Sequence, residues 1–299
     1  MTFFRQISFS HQNLGLALGI AGMVTFAATL PARRLGVTAL DPLFLSAASA
    51  TLAGCTALMV LIATRRTLPP RTLWPALFSA GFCSIVAFPI LTALAMMTVP
   101  AAHGGVVLGI QPLAIAAGAA LLAHERPSGG FWLVSAAGAI VVVTFVLRRG
   151  GADTVSAGDF FLIAAVIAGA VNYTLYGRLT SLMPGWEVIS WSVTIFLPLA
   201  AAATFALWPA DLANVPYPVW AALGYIGLVS QYTGFFLFNA ALAMGGIARV
   251  GQVLLLQPFV TLALAAPVNG ERIDLETILF AAAVVTTVVI GQRMRVTRG

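Results

Sequence analysis

The residues of this sequence best suited to recognising a small molecule lie inside long apolar runs. Gln231, Phe235 and Asn239 recur every four residues, so on an α-helix they share a face, with Tyr232 and Phe236 flanking it. Asn172, Tyr173 and Tyr176 repeat the arrangement at spacings of three and four in an earlier run. Amides and phenols beside rings suit a ligand with a polar head and an apolar or aromatic tail. Single residues of this kind serve equally well as polar contacts between packed helices, so the cluster carries more weight than any member. At the positions corresponding to Gln231, Phe235 and Asn239 in the first half of the chain stand Ile85, Pro89 and Ala93. This polar face therefore belongs to one half only.

Two dipeptides, Gln111-Pro112 and Gln257-Pro258, sit midway along two other apolar runs. Each proline removes a backbone donor and presses on the carbonyl four residues back, here Leu108 and Leu254. In lipid a freed carbonyl must find protein or water. Bends at Pro112 and Pro258 facing a wet cavity are one outcome, with Gln111 and Gln257 at its wall. Packed kinks satisfied by the glutamines are the other. His103 and Arg249 lie near the starts of the same two runs. A charge within the bilayer is costly and faces protein or water. Arg249 could meet a substrate carboxylate with His103 as partner and Gln252 alongside. It could equally snorkel to the interface, with His103 a satisfied polar residue at a helix end.

Other chemistries are absent. No apolar run contains an Asp or Glu near its middle, and a chain without lysine cannot carry a Walker A motif. There is no GxSxG, HExxH or Cys-x-x-Cys pattern. Cys55 and Cys83 both fall in apolar runs and read as packing residues. The expectation is a non-enzyme with no metal and no cofactor.

The elements that must position these residues follow from composition. Of 299 residues, 60% are hydrophobic and 8% charged, against about 45–50% and 25% in soluble domains. A hydrocarbon core about 30 Å thick takes roughly 20 apolar residues per helix. Ten such runs are expected, near 14–31, 42–63, 73–97, 101–122, 130–147, 158–180, 187–207, 218–242, 246–268 and 275–292. Breaks rich in Pro, Gly and charge separate them, among them Pro31-Ala32-Arg33-Arg34, Glu125-Arg126-Pro127 and Asn269-Gly270. The first run is long for a signal peptide and is kept as a helix. Continuous runs without period-two alternation predict helices, not a barrel. The net charge of +6 comes from 15 arginines near run ends, the pattern of a membrane protein and not of nucleic-acid binding.

The chain also repeats itself. Gln111-Pro112 and Gln257-Pro258 are 146 residues apart, as are Glu125-Arg126 and Glu271-Arg272, and as are His103 and Arg249. The expected organisation is all-α, with five helices in residues 1–150 and five in 151–299. An odd number of spans per repeat inverts the second half, which is a transporter architecture. With both termini in the cytoplasm, ten arginines fall inside and five outside, as the positive-inside rule favours. Arg33-Arg34 and Arg148-Arg149 run against it. Small residues make stripes at Ser46/Ala50/Gly54, Gly15/Gly19 and Gly105/Gly109, which predict close helix packing.

Ten helices, a duplicated five-helix unit, a Pro midway through helices four and nine and a Glu just after each resemble the bacterial ten-helix branch of the drug/metabolite transporter superfamily, the EamA-like proteins. Ala101–Glu125 and Ile247–Glu271 carry the likeness most sharply. Within that branch the sequence is most similar to exporters of aromatic amino acids. The resemblance implies a secondary transporter in the bacterial cytoplasmic membrane that exports aromatic or large neutral amino acids by alternating access, with lipid and a small molecule as partners and a monomer sufficient. A multidrug exporter of flat aromatic compounds is the alternative within this class, and a membrane-embedded enzyme the alternative outside it.

Overall fold

The helices of this chain keep large apolar side chains on their outer faces. Ile62, Phe160, Ile167, Leu199 and Phe205 are each more than half exposed, which fits a surface solvated by acyl chains. The computed structural model describes residues 2–99, 104, 107–150, 156–210, 214–269 and 275–298. Ten apolar helices order them: α1 (Asn13–Gly36), α2 (Pro42–Ala63), α3 (Arg71–Thr98), α4 (Gln111–Leu122), α5 (Gly129–Phe145), α6 (Ala157–Leu179), α7 (Gly185–Ala206), α8 (Tyr217–Gly245), α9 (Ile247–Thr261) and α10 (Ile278–Arg293). Six of them, α1–α3 and α6–α8, are long and apolar enough to cross a membrane. The four shorter ones occupy the same ranks, fourth and fifth, in each half.

Local chemistry fixes several starts. Asp41 caps α2, accepting from Leu43 N at 2.8 Å and Phe44 N at 3.1 Å, with Pro42 in the first turn where no donor is needed. Ser156 and Asp159 form a capping box at α6. The turn from α8 into α9 needs φ of 84° at Gly246, a conformation that favours glycine. Just beyond it, the Glu125 carboxylate accepts from Ile247 N at 2.9 Å and Ala248 N at 3.0 Å.

The helices pair antiparallel in a regular way. Along α1, Gly15, Gly19 and Gly22 meet Met244, Ala241 and Phe238 of α8 in falling order. Side chains as small as glycine let these backbones approach closely. Along α3, Ser84 bonds Tyr176 of α6, while Thr98 lies against Gly158 of the same helix. Gly54 and Thr51 of α2 meet Leu197 and Thr204 of α7. Gly130 and Gly138 of α5 meet Met294, just past α10, and Thr287 of α10, while Arg148, just past α5, pairs with Glu276, just before α10.

Three expectations change. The break at Pro31–Arg34 is helical: α1 continues to Gly36, because Pro31 falls in the first turn after a distortion at Ala28. The fourth helix is not continuous from 101 to 122; helical residues 107–108 are followed by a turn at Gly109-Ile110, and the helix resumes at Gln111, so Pro112 stands in the first turn after this break. The fold is also not purely helical. Glu125–Pro127 pairs antiparallel with Val296–Arg298. Pro127 holds the residue before it extended, which leaves backbone groups for the C-terminal strand to take up.

Candidate functional site

Two helices widen at corresponding places. Phe82–Ala87 of α3 and Tyr225–Gly234 of α8 are π-helical. Such stretches are rare and are frequently found at functional sites. They carry Ser84 and Ser230, which are 146 residues apart. Both serines line one cavity near the middle of the long helices.

The cavity draws on α1, α3 and α4 and, equally, on α6, α8 and α9, with about 550 Å³ of unfilled space, its mouth included. Only a small part is wide enough for a water molecule, so a larger guest must displace side chains. Its apolar wall is Phe26, Leu30, Phe88, Leu108, Tyr173 and Phe235; its polar wall is Arg33, Gln111, Asn172, Gln231 and Gln257 with Thr29, Ser84 and Ser230. Tyr173 and Phe235 stack at 5.7 Å, Phe26 tilts against both, and Phe238 backs them. In α1, Phe26 precedes Thr29 and Arg33. In α6 and α8, which run the other way, Tyr176 and Phe238 follow the lining residues. The rings of Phe26, Tyr173, Tyr176, Phe235 and Phe238 thus form one contiguous layer beside the polar wall.

The polar wall is under-satisfied. Buried Gln111 Nε2, Asn172 Oδ1, both amide atoms of Gln231, and Arg33 Nε have no hydrogen-bond partner among the described residues. Leaving a buried polar group unpaired costs about 1–3 kcal/mol. Several converging on one space describe a site awaiting a polar guest or water. No carboxylate or thiol stands among the described lining residues, and no group of His, Cys, Asp and Glu that could hold a metal occurs among the described residues.

Six residues singled out from the sequence, Gln111, Asn172, Tyr173, Gln231, Phe235 and Gln257, line this cavity. The others go elsewhere. Tyr176 lies just behind the wall, sharing a 2.7 Å hydrogen bond with Ser84. Tyr232 turns to Ser190 of α7 at 2.9 Å, and Asn239 donates to Gly185 O at 3.2 Å. The stripe on α8 reaches the cavity at Gln231 and Phe235; Asn239 lies one α-helical turn further along, about 6 Å beyond Phe235. Gln252 donates to Ser135 of α5 at 2.7 Å. Arg249 donates to Met294 O at 2.9 Å and its own carbonyl accepts from Gln292, so it anchors the C-terminal segment, away from the cavity. Pro112 and Pro258 do not line the cavity, whereas the glutamines before them do. His103 lies outside the described residues.

The sequence reading passed over Arg33, Thr29, Ser84 and Ser230. The two serines were findable from the 146-residue offset. Arg33 was findable as a charge that contradicts the positive-inside rule. Thr29 gives no such signal; it is held by a 2.7 Å hydrogen bond to Ser230.

Comparison with known proteins places this geometry. The model of a family described as the EamA-like transporter family matches residues 13–148 and again 156–290. The chain is similar to the uncharacterized transporter YdeK of Bacillus subtilis (strain 168), 36% identical over 275 residues, covering 92% of this chain and 96% of that one. It is also similar to the probable terminal-alkyne amino-acid exporter of Streptantibioticus cattleyicolor, at 26% identity over 257 residues and 83% of each chain. A solved crystal structure shares the fold, with a TM-score of 0.75 at 18% identity over 93% of this chain and 98% of that one.

Proposed function

The chain belongs to the EamA-like transporter family, and from that premise we propose that it exports amino acids, large neutral and aromatic ones first, across the bacterial cytoplasmic membrane. It is a multi-pass membrane protein. In the proposed arrangement, ten spans form two inverted halves, 1–150 and 151–299, and the cavity between them opens to each side in turn.

The observation that carries the reading is the make-up of the cavity wall. It takes three helices from each half, and they are the same three by rank. Two pairs of its residues, Ser84/Ser230 and Gln111/Gln257, are equivalent under the 146-residue offset. The helix pairings support the same symmetry: advancing each rank by five turns the α1–α8 pair into α6–α3 and leaves α2–α7 and α5–α10 unchanged. The double family match supports it as well. Unpaired amides beside stacked rings suit a polar head and an apolar tail, and the amino-acid exporter among the similar proteins supports that substrate class.

The aromatic wall also favours a second reading, export of flat aromatic drugs. Purified protein in liposomes, offered a panel of amino acids and aromatic cations, separates the two. Movement of large neutral amino acids supports the first reading. Movement of aromatic cations alone supports the second, and movement of neither overturns both.

A further inference from the structure

Arg33 and Arg34 are neighbours with opposite fates. Arg34 is exposed, and its Nη1 donates to Met96 O at 2.7 Å and Val99 O at 3.1 Å. It closes the C-terminal end of α3, where the carbonyls of a helix lack partners and carry partial negative charge. Arg33 is 1% exposed and lines the central cavity. Its Nη1 donates to Pro89 O at 3.1 Å, and its Nε has no partner. That carbonyl is already shared, since Ser46 and Thr92 hydroxyls also point to it. Neither ion pair among the described residues involves Arg33, and no carboxylate lines the cavity among those residues.

A guanidinium is the side chain least able to shed its charge, and it offers five donors in a planar fork. One carbonyl neutralises none of that charge. An uncompensated buried cation is strongly unfavourable, whereas a carboxylate meeting the fork in two parallel hydrogen bonds satisfies it. Around this cation, Gln111 and Gln231 supply further donors, while Asn172 and Gln231 supply neutral acceptors.

We propose that Arg33 receives the carboxylate of the transported molecule, so that the cavity requires an anionic carboxylate and takes an amino group only as a secondary feature. The inference rests on the transporter reading above and narrows its substrate class. A fixed positive charge beside the rings also repels organic cations. An ammonium meets only uncharged groups there, amide and hydroxyl oxygens and ring faces, so a carboxylic acid lacking the amine binds nearly as well as the amino acid.

The test uses full-length protein in detergent and in liposomes, with six probes: L-phenylalanine, 3-phenylpropionate, L-phenylalaninamide, phenethylamine, L-leucine and L-leucinamide. Binding is read from the rise in unfolding temperature with ligand concentration, which follows affinity by mass action. For the wild type, the three carboxylates bind and the amides and amine bind at least tenfold more weakly. Arg33→Gln removes that preference. Arg33→Lys, which keeps the charge but not the fork, binds carboxylates with intermediate affinity and serves if the glutamine variant does not fold. Equal binding of amides and carboxylates, no binding of carboxylates, or an unchanged preference in both variants overturns the proposal. Liposome uptake separates the two levels. If phenethylamine or an amide crosses, the transporter reading stands and the role of Arg33 falls. If carboxylates bind through Arg33 but no probe crosses, the role stands and the transport reading falls.

Discussion

Ser84 of α3 and Ser230 of α8 face one cavity from equivalent positions, each within a π-helical stretch of its helix. Each bonds a partner on another helix of the wall: Ser84 shares a proton with Tyr176 and Ser230 with Thr29, both at 2.7 Å. The π turns use longer hydrogen-bonded rings with poorer geometry than an α-helix. They widen the helix where a guest must pass, and they are the natural place for it to flex. Hydrogen–deuterium exchange in nanodiscs should therefore show amides of 82–87 and 225–234 exchanging faster than those of Pro42–Ala63. Uniform protection along α3 and α8 would remove the π stretches from any account of gating.

Gly169 stands against Gln111 so closely that an added Cβ would overlap Gln111 Nε2, the end of a flexible side chain. Gly169→Ala should fold normally, because the amide can swing away, but it should empty one polar position of the wall. The loss of one hydrogen bond to substrate, about 1–1.5 kcal/mol, corresponds to roughly tenfold in apparent affinity. Gly129→Ala is the control, since nothing lies within 4 Å of a Cβ there. Equal transport by both variants would show that Gln111 does not touch substrate.

Glu125 reaches 122 positions along the chain to cap α9. It joins a helix start to the strand that pairs with Val296–Arg298. Glu125→Ala should lower stability by about 1–3 kcal/mol, because two buried N–H groups lose their acceptor. Glu125→Gln keeps one carbonyl oxygen and should lose less. Thermal unfolding in detergent measures both, and an alanine variant as stable as the wild type would show that water caps α9 equally well.

The two ion pairs seen among the described residues each join residues that the charge distribution assigns to a single side. Arg66 meets Glu187 at 3.3 Å, both expected inside, and Arg148 meets Glu276 at 3.1 Å, both expected outside. The proposed ten spans would put both termini on one side, which the arginine count favours as the cytoplasm. Reporter fusions at Met1 and Gly299 should both read cytoplasmic. An outside signal at one end alone would mean an odd number of spans and would end the inverted five-plus-five arrangement.

Helix positions were readable in the sequence because lipid demands long apolar runs, and their boundaries erred where prolines begin helices instead of ending them. Pro31 and Pro112 both sit in first turns, so the missing donor costs nothing. The site was half readable. Gln111 and Gln257 were found because the repeat marks them. Asn239 and Tyr232 were misplaced because periodicity gives the face of a helix and not the depth of the cavity or the neighbour on each side: Asn239 lies a turn beyond Phe235 against Gly185, and Tyr232 faces Ser190 of α7. Arg33 was passed over because a charge at the end of an apolar run is expected at an exposed interface; its breach of the positive-inside rule was the one signal, and the packing of α1 against α3 and α8 places it inside the helix bundle.

Energy coupling is the last property that the cavity constrains. Obligatory proton coupling needs a titratable group whose proton and substrate bind interdependently, and membranes favour a carboxylate or a histidine for that work. Among the described lining residues the ionisable groups are Arg33 and Tyr173. An arginine holds its proton across the physiological range, and a tyrosine ordinarily titrates near about pH 10. Neither cycles at neutral pH. Asp159 and Glu187 are committed at helix ends, one to a capping box and the other to Arg66. An amino-acid zwitterion carries no net charge, so the membrane potential does little work on it. Net flux should then follow the gradient of the amino acid itself, and a cell overproducing it would export it without consuming an ion gradient. His103 is the remaining candidate for coupling, since an unperturbed histidine titrates at about pH 6.5. Liposomes with pH gradients of either sign, carrying wild type or His103→Ala, decide the matter. The expected result is equilibration at equal concentrations in every arm. Accumulation that follows the pH gradient in the wild type and vanishes in the variant would make His103 the coupling residue and this transporter an exchanger of substrate for protons.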